Sequence, residues 1–395
     1  MEVKIVLGMA FGDEGKGVTV QSLVREAQNA GKRVAVVRFS GGPQAAHTII
    51  NDNKKHVCST YGAGVLLGAD TFLTPDVYFD PYCANQERLA LEKIGIKEPR
   101  ILIPHGIRTI TPWDVLWDRQ DAIVRGHGSC GKGIHATFVR TNKNVQKSVA
   151  KAWYEKRFGF RSDEAEEMAK AYSDAEGDLI GNGAENWYWQ DMRRELHNYD
   201  TVIFEGSQGL LLDMDKGFFP HVTPSHTGLD NIPVGFLDGA EVYLVTRSYT
   251  TRHGNGWNPR GTGPVKHIEA QKGTETNIRN EFQGEFKTGS LDIPMLSAAW
   301  NRHCLDVWQA KYLLRYNLVI THADAFPKDG GTDKAVQIVY SEDPWIGSDA
   351  RVNLKYIFTP KDALLRMPFC NRINKLFANT DPSGNMFEID PVKEL

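Results

Sequence analysis

The sequence predicts an α/β protein built on a central, mostly parallel sheet with helices on both faces and helical insertions. Three observations carry that expectation. Five short β-branched apolar runs lie along the chain, each passes directly into a cluster of Gly, Ser, Thr or His, and helical apolar spacing occupies stretches between them. Near-continuous apolar runs fit strands covered on both faces, as in a parallel sheet, where ligands sit beyond the carboxyl ends of the strands. All five polar clusters should therefore gather at one sheet edge.

The first run, Val3 to Leu7, leads into GMAFGDEGKG, and residues 18–29 (VTVQSLVREAQN) then show helical spacing that ends at Gly31. Arg33 to Phe39 leads into SGGPQAAHT and Thr201 to Phe204 into EGSQG. Val242 to Arg247 leads into SYTTRHGNG, and Leu318 to Thr321 into HAD. Residues 163–172 (DEAEEMAKAY) and 185–197 (ENWYWQDMRRELH) read as amphipathic helices, within a helical insertion of roughly 140–200. Pro/Gly-rich stretches at 253–264 and 326–332 read as long functional loops, and substrate loops are expected over roughly 253–290. With neither an internal repeat nor a low-complexity linker, the 395 residues read as one large α/β domain.

Charge and cysteine usage exclude several function classes. The 46 basic and 49 acidic residues nearly cancel and no window is strongly basic, so a nucleic-acid polymer is not an expected partner. No apolar stretch is long enough for a membrane span, and MEVKIVLG lacks the basic start of a signal peptide. A cytoplasmic protein without a membrane partner is expected. Cys58, Cys83, Cys130, Cys304 and Cys370 are widely spaced without a C-x-x-C pair, which argues against a disulfide framework or structural zinc.

Gly12-Asp13-Glu14-Gly15-Lys16-Gly17 sits between a strand and a helix, where backbone N–H groups can cradle phosphate and Lys16 can reach it. It departs from the standard P-loop, which would need Gly at position 10 and Ser or Thr at 17, where Ala10 and Gly17 stand. With no hydroxyl to hold Mg²⁺, Asp13 is the candidate. The departure also weighs against an ordinary P-loop kinase or ATPase.

GDEGKG, GGPQAAHT, GSCGKG at 128–133, EGSQG followed by LLLDMDKGFFPHVT, TTRHGNG and TGSLD occur in that order. Together they resemble the ordered motifs of adenylosuccinate synthetases, from residue 3 to about 325, with an echo in NTDPSG near the C-terminus. The resemblance implies a ligase that condenses L-aspartate with a 6-oxopurine nucleotide, driven by nucleoside triphosphate hydrolysis through a 6-phosphoryl intermediate, with Mg²⁺. By the same resemblance Asp13 takes the purine N1 proton and ligates Mg²⁺ alongside the Ala46 carbonyl. His47 hydrogen-bonds O6 and acts as general acid, Lys16 neutralises phosphate charge, and Gln208 orients O6. Gly12, Glu14, Gly15, Gly17 and Thr48 surround the triphosphate.

The monophosphate falls to Gln44, Ser129, Cys130 and Thr223, and Arg140 reaches the phosphate of a neighbouring subunit in a homodimer. Taken singly, Ser129 also reads as a helix cap and Cys130 as a buried inert thiol, with a Cys130 nucleophile beside His127 as a rival. A phosphate-binding backbone suits GSCGKG better.

Departures from the family pattern bear on substrate. GGPQAAHT has Pro43, Gln44 and Ala46 where the family has His, Asn and Gly, and NEFQGEFKTGSLD has Gly284 and Phe286 where the family has arginines. The aspartate carboxylates are then left to Arg252, Lys287 and Arg279, with Thr276 and Asn277 as polar partners. These changes resemble a divergent branch that includes phage enzymes acting on (d)GMP to make a 2-amino-N6-succinyl-(deoxy)adenylate, the precursor of diaminopurine; such a protein works in host cytoplasm. Retention of Asp13 favours the alternative, IMP with GTP. Thr321-His322-Ala323-Asp324 stands where the family binds guanine, with His322 for Lys, so the donor is ATP or GTP and His322 and Asp324 meet its base. From another class, a catalytically weak nucleotide-binding regulatory protein would need no Asp13 and His47 pair.

Overall fold

The apolar runs form the spine of one sheet. The computed structural model describes residues 1–126, 128–258, 282, 286–289, 291, 292, 295, 296, 298–303, 314–322 and 353–357. Its strands are β1 (Glu2–Gly8), β2 (Val34–Arg38), β3 (His47–Asn51), β4 (Lys54–Cys58), β5 (Asp70–Leu73), β6 (Tyr78–Phe79), β7 (Ile101–Pro104), β8 (Arg108–Thr109), β9 (Ala184–Trp187), β10 (Thr201–Gly209), β11 (Glu241–Arg247), β12 (Thr250–His253), β13 (Phe286–Gly289), β14 (Arg315–Thr321) and β15 (Asn353–Ile357). Nine make a sheet in the order β15-β14-β11-β1-β10-β2-β5-β7-β9. Every pairing in it is parallel, as expected. Hairpins β3-β4 and β12-β13 are antiparallel and stand outside it.

The helices are α1 (Lys16–Asn29), α2 (Pro81–Lys93), α3 (Pro112–Gln120), α4 (Ala122–Gly126), α5 (Ile134–Asn142), α6 (Ala150–Phe158), α7 (Asp163–Gly181) and α8 (Trp189–Leu196). Alternation along the strands covers both sheet faces. Ile5, Leu7, Phe204, Val242, Leu244, Leu318 and Ile320 share a core with Met192 and Leu196 of α8. Val6, Ile203, Tyr243, Val245 and Val319 share the opposite core with Val20, Leu23 and Val24 of α1. Helices therefore do lie on both faces.

A separate small core, Leu116, Ala136, Tyr154, Phe160 and Ala165, joins α3, α5, α6 and α7 into a helical layer. Thr111 and Asp114 form a capping box at the start of α3, with Pro112 in its first turn. One sequence expectation is corrected here. Residues 185–187 do not begin a helix: they lie in β9, register-paired with β7 from Ile101 against Ala184 to Pro104 against Trp187. Their backbone groups are taken by the sheet edge, so the helix starts only at Trp189. No helix among the described residues is long and apolar enough to cross a membrane.

Candidate active site

The ends of β1, β2, β10, β11 and β14 surround one cavity of about 940 Å³. Its lining includes Asp13, Lys16, Gln44, His47, Ser129, Cys130, Gln208, Thr223, Arg252 and His322, so residues far apart in sequence meet at the expected sheet edge. Gly12, Glu14, Gly15, Gly17, Ala46 and Thr48 line it as well.

The loop after β1 is shaped by its own charges. Gly12, Asp13 and Gly15 have φ of 96°, 62° and 93°, left-handed turns that glycine adopts freely and aspartate tolerates. Glu14 is buried; its Oε1 accepts N–H groups of Ala10 at 3.0 Å and Gly12 at 2.9 Å, and its Oε2 pairs with Lys16 Nζ at 2.6 Å. A side chain at Gly8 would put a Cβ 2.2 Å from Glu14 Oε2, so only glycine lets this pair pack on the end of β1. Neighbouring strands grip the loop from outside: Thr251 donates to the Gly12 carbonyl at 3.1 Å, Thr321 to the Glu14 carbonyl at 2.6 Å, and Arg247 Nε to the Asp13 carbonyl.

Asp13 itself is left facing the cavity. Burial raises its carboxyl pKa, against the opposing pull of His253, Arg247 and Lys16. The shift makes it a stronger base than an exposed aspartate, in the direction that abstraction of a purine N1 proton requires. His253, which sequence reasoning did not single out, has its Nε2 3.9 Å from Asp13 Oδ2.

His47 is buried against a second carboxylate. Its Nδ1 lies 2.5 Å from Glu205 Oε1 and its Nε2 3.3 Å from the Ser207 carbonyl. Burial, the larger influence, leaves its pKa below the ordinary value even though Glu205 pulls it up. The opposing pulls equip the ring to give or take a proton. Burial alone would raise the Glu205 carboxyl, yet Arg38, His47 and the Ala63 N–H hold it below its ordinary value. Glu205 was visible in the sequence as an acid ending an apolar strand, a position that demands a partner.

Elsewhere in the cavity lie the polar groups of the other motifs. Both amide atoms of Gln44 and Oε1 of Gln208 are buried without a hydrogen bond among the described residues. Ser129 Oγ accepts the Gly131 N–H at 3.4 Å, and the Thr223 N–H donates to the Leu212 carbonyl at 2.8 Å. Burial lifts the Cys130 thiol to about 11, which removes it as a nucleophile at neutral pH.

Arg252 lies 4.2 Å over the Phe11 ring and donates to the carbonyls of Trp257 and His221 at 2.8 and 2.9 Å. Its Nε has no partner among the described residues, and burial pushes its pKa down to about 10. Among the described residues the guanidinium is held by neutral carbonyls and an aromatic ring, without a counter-charge. Lys287 donates to the Gly254 carbonyl at 2.7 Å and does not line the cavity. His322 takes φ 54° at the end of β14. Thr276, Asn277, Arg279, Gly284, Asp324 and His127 lie outside the described residues.

Arg140 is corrected. It is 1% exposed in the helical layer, where Nε and Nη2 hold the two Asp114 oxygens at 2.8 Å and the remaining donors reach the Val145 and Thr109 carbonyls. A buried guanidinium whose fork is filled by a carboxylate serves the helical layer and does not present itself to a neighbouring subunit's phosphate.

Asp13 and Ala46 share the cavity, which fits a Mg²⁺ that takes one carboxylate and completes its shell from phosphate oxygens. The side-chain groups spaced to hold an ion by themselves, among the described residues, are His56-Cys58-Glu87 and Asp213-His226-Asp230. Neither includes Asp13.

The profile of adenylosuccinate synthetase matches residues 5–309. The chain belongs to the adenylosuccinate synthetase family. It is 31% identical over 301 residues to the adenylosuccinate synthetase of Methylococcus capsulatus, covering 69% of this chain and 68% of that one. The enzyme of Alkaliphilus metalliredigens is 29% identical over 306 residues, 70% of this chain and 68% of its own. In fold, the chain is similar to fully ligated adenylosuccinate synthetase from Plasmodium falciparum, with a TM-score of 0.64, 20% identity and 82% and 78% of the two chains covered. It is also similar to cyanophage S-2L succinoaminodeoxyadenylate synthetase bound to dGMP and dATP, with a TM-score of 0.60, 16% identity and 82% and 86% covered. Members of this family are carbon–nitrogen ligases that join aspartate to a purine nucleotide, and the chain is a ligase of that type.

Proposed function

We propose that this ligase joins L-aspartate to C6 of a 2-amino-6-oxopurine nucleotide, GMP or dGMP, with ATP or GTP as phosphoryl donor. The observation that carries the chemistry is the meeting, in one cavity, of Asp13 and a His47 backed by Glu205. Asp13 accepts the N1 proton as O6 attacks the γ-phosphorus and the β,γ-bridging bond breaks. His47 hydrogen-bonds the 6-phosphoryl group, and the aspartate amine then attacks C6 and expels phosphate. Transition-state charge is met by oriented groups already in place. Asp13 and the Ala46 carbonyl would hold Mg²⁺, which would supply charge neutralisation for phosphoryl transfer; Lys16, paired with Glu14, is the protein cation beside it. Arg252 is the cation for an aspartate carboxylate.

Two observations support this reading, one for the deoxyribose and one for the base. Phe286 stands where the resemblance puts an arginine, and its ring packs 4.8 Å from His253 and 5.6 Å from the Arg247 guanidinium. An apolar ring there removes a polar contact to the ribose region. The cyanophage fold relative is bound to dGMP and dATP. A homodimer, which the family resemblance implies, belongs to this reading without Arg140.

Phosphate release measured with IMP, GMP, dGMP and no monophosphate, each with ATP or GTP and with or without L-aspartate, tests it. Turnover with GMP or dGMP only when all three substrates are present is expected. Turnover with IMP alone would restore ordinary adenylosuccinate synthesis, and nucleotide binding without turnover would point to a regulatory binding protein.

A further inference from the structure

Resting on that function, with Gln44, Thr223 and the loop of Ser129 and Cys130 on the 5′-phosphate, we propose that Tyr78 is a positioning residue that braces these three loops against one another. Tyr78 belongs to β6, stands behind the cavity and outside its lining, and is 1% exposed. Its backbone N–H donates to the carbonyl of Gly41, in the loop that carries Gln44, at 2.8 Å. Its phenol donates to the carbonyl of Pro224, the residue after Thr223, at 2.7 Å. Its ring shares a small core with Ile110, Val115 and Ile134, and Ile134 opens α5, the helix that follows the loop of Ser129 and Cys130. One residue therefore touches the supports of all three loops.

The packing leaves this arrangement little freedom. A Cβ at Gly42 would lie 2.7 Å from the Tyr78 carbonyl oxygen and 3.0 Å from Ile134 Cδ1, so the glycine loop sits directly on the strut. The Gly41 N–H donates to Ser225 Oγ at 3.2 Å, which closes the link between the Gln44 and Thr223 loops. The phenol is aimed from behind. Arg108, paired with Tyr78 across β6 and β8, places its guanidinium 5.5 Å from the ring centre and donates through Nη1 to the phenol oxygen at 3.4 Å. Asp76 holds Arg108 Nη2 at 3.6 Å. With the acceptor side of the oxygen taken, its proton turns to Pro224. Burial pushes the phenol up to about 12, so it remains a donor near neutral pH. Phenylalanine would fill the same core but leave the Pro224 carbonyl without its donor and the Thr223 loop without its brace. A phosphate bound by groups that must first be ordered is bound less tightly.

The test measures calorimetric Kd for GMP, dGMP and IMP, and KM for each substrate of the ligase assay, in wild type, Tyr78→Phe and Arg108→Met. Tyr78→Phe should weaken every monophosphate that wild type binds by one common factor, about five- to tenfold, because the strut acts on the phosphate loops and not on the base. KM for triphosphate and for aspartate, and kcat at saturation, should stay within about twofold of wild type. Arg108→Met, at a position 32% exposed, reaches the strut from outside the core and should give a smaller change in the same direction. An unchanged monophosphate Kd in folded Tyr78→Phe overturns the proposal, as does a factor that differs among the bases or an equal rise in KM for triphosphate. Should Tyr78→Phe fail to fold, an unchanged Kd in Arg108→Met overturns it instead. Absence of turnover with every monophosphate would refute the ligase function separately, since the Kd ratio still decides the role of Tyr78.

Discussion

Asp13 and Glu205 are both buried carboxylates, and their surroundings give them opposite tasks. Burial raises the Asp13 carboxyl, whereas Arg38 and His47 hold Glu205 below its ordinary value; in the proposed reaction the first is the base and the second anchors His47. Asp13→Ala is expected to lower kcat by at least about a thousandfold while calorimetry shows monophosphate binding within a few-fold of wild type. A variant of normal rate would refute its role as base. Glu205→Gln keeps the shape but not the charge beside His47, so kcat should fall about a hundredfold with KM for the monophosphate little changed. Its pH profile should also shift toward lower pH, because an imidazolium that loses its carboxylate gives up its proton more readily. The partners of Glu205 and His253 escaped sequence reasoning for one reason. They stand 158 and 240 residues away, and no local spacing reports such distances.

At the scale of elements, the helical layer is organised by buried charge. Arg140 of α5 and Asp114 of α3 are 1% and 0% exposed. Arg140→Met should therefore cost about 3–5 kcal/mol in chemical denaturation, because it strands the Asp114 carboxylate. A stable variant that loses only activity would return Arg140 to the phosphate. Asp118 of α3 accepts the Ala136 N–H at the start of α5 with Oδ1, while Oδ2 is buried without a partner among the described residues. Burial raises its carboxyl to about 7. Below the unfolded value both states are protonated. As pH climbs toward 7 the unfolded chain releases a proton that the native state retains, so stability is lost. Asp118→Asn should leave Tm nearly unchanged near pH 4 and raise it at pH 8; identical pH slopes for variant and wild type would contradict this. The strands were legible because buried parallel strands leave continuous apolar runs. Residues 185–187 were misread because Trp187, Tyr188 and Trp189 satisfy helical spacing equally well, and only β7 decides between the two.

For the whole molecule, five strand-end loops read from the sequence as one sheet edge do enclose one cavity. The positions of Asp13, Lys16, His47, Gln44, Gln208 and Thr223 followed from motif order, since a parallel sheet sends every strand's carboxyl end the same way. Individual side-chain tasks were less legible: Lys16 is paired with Glu14, and Arg140 is buried away from the cavity. A near-neutral chain can bind several anions because local charges and loop N–H groups meet them. Joining aspartate at C6 through a 6-phosphoryl group requires O6 to depart with the phosphate. The most direct measurement uses GMP or dGMP carrying ¹⁸O at O6, with nucleoside triphosphate, Mg²⁺ and L-aspartate, and follows the label by mass spectrometry. Label in the released phosphate, one atom for each nucleotide aminated, is the expected result; label lost to water or retained in the nucleotide while phosphate is released would contradict the mechanism.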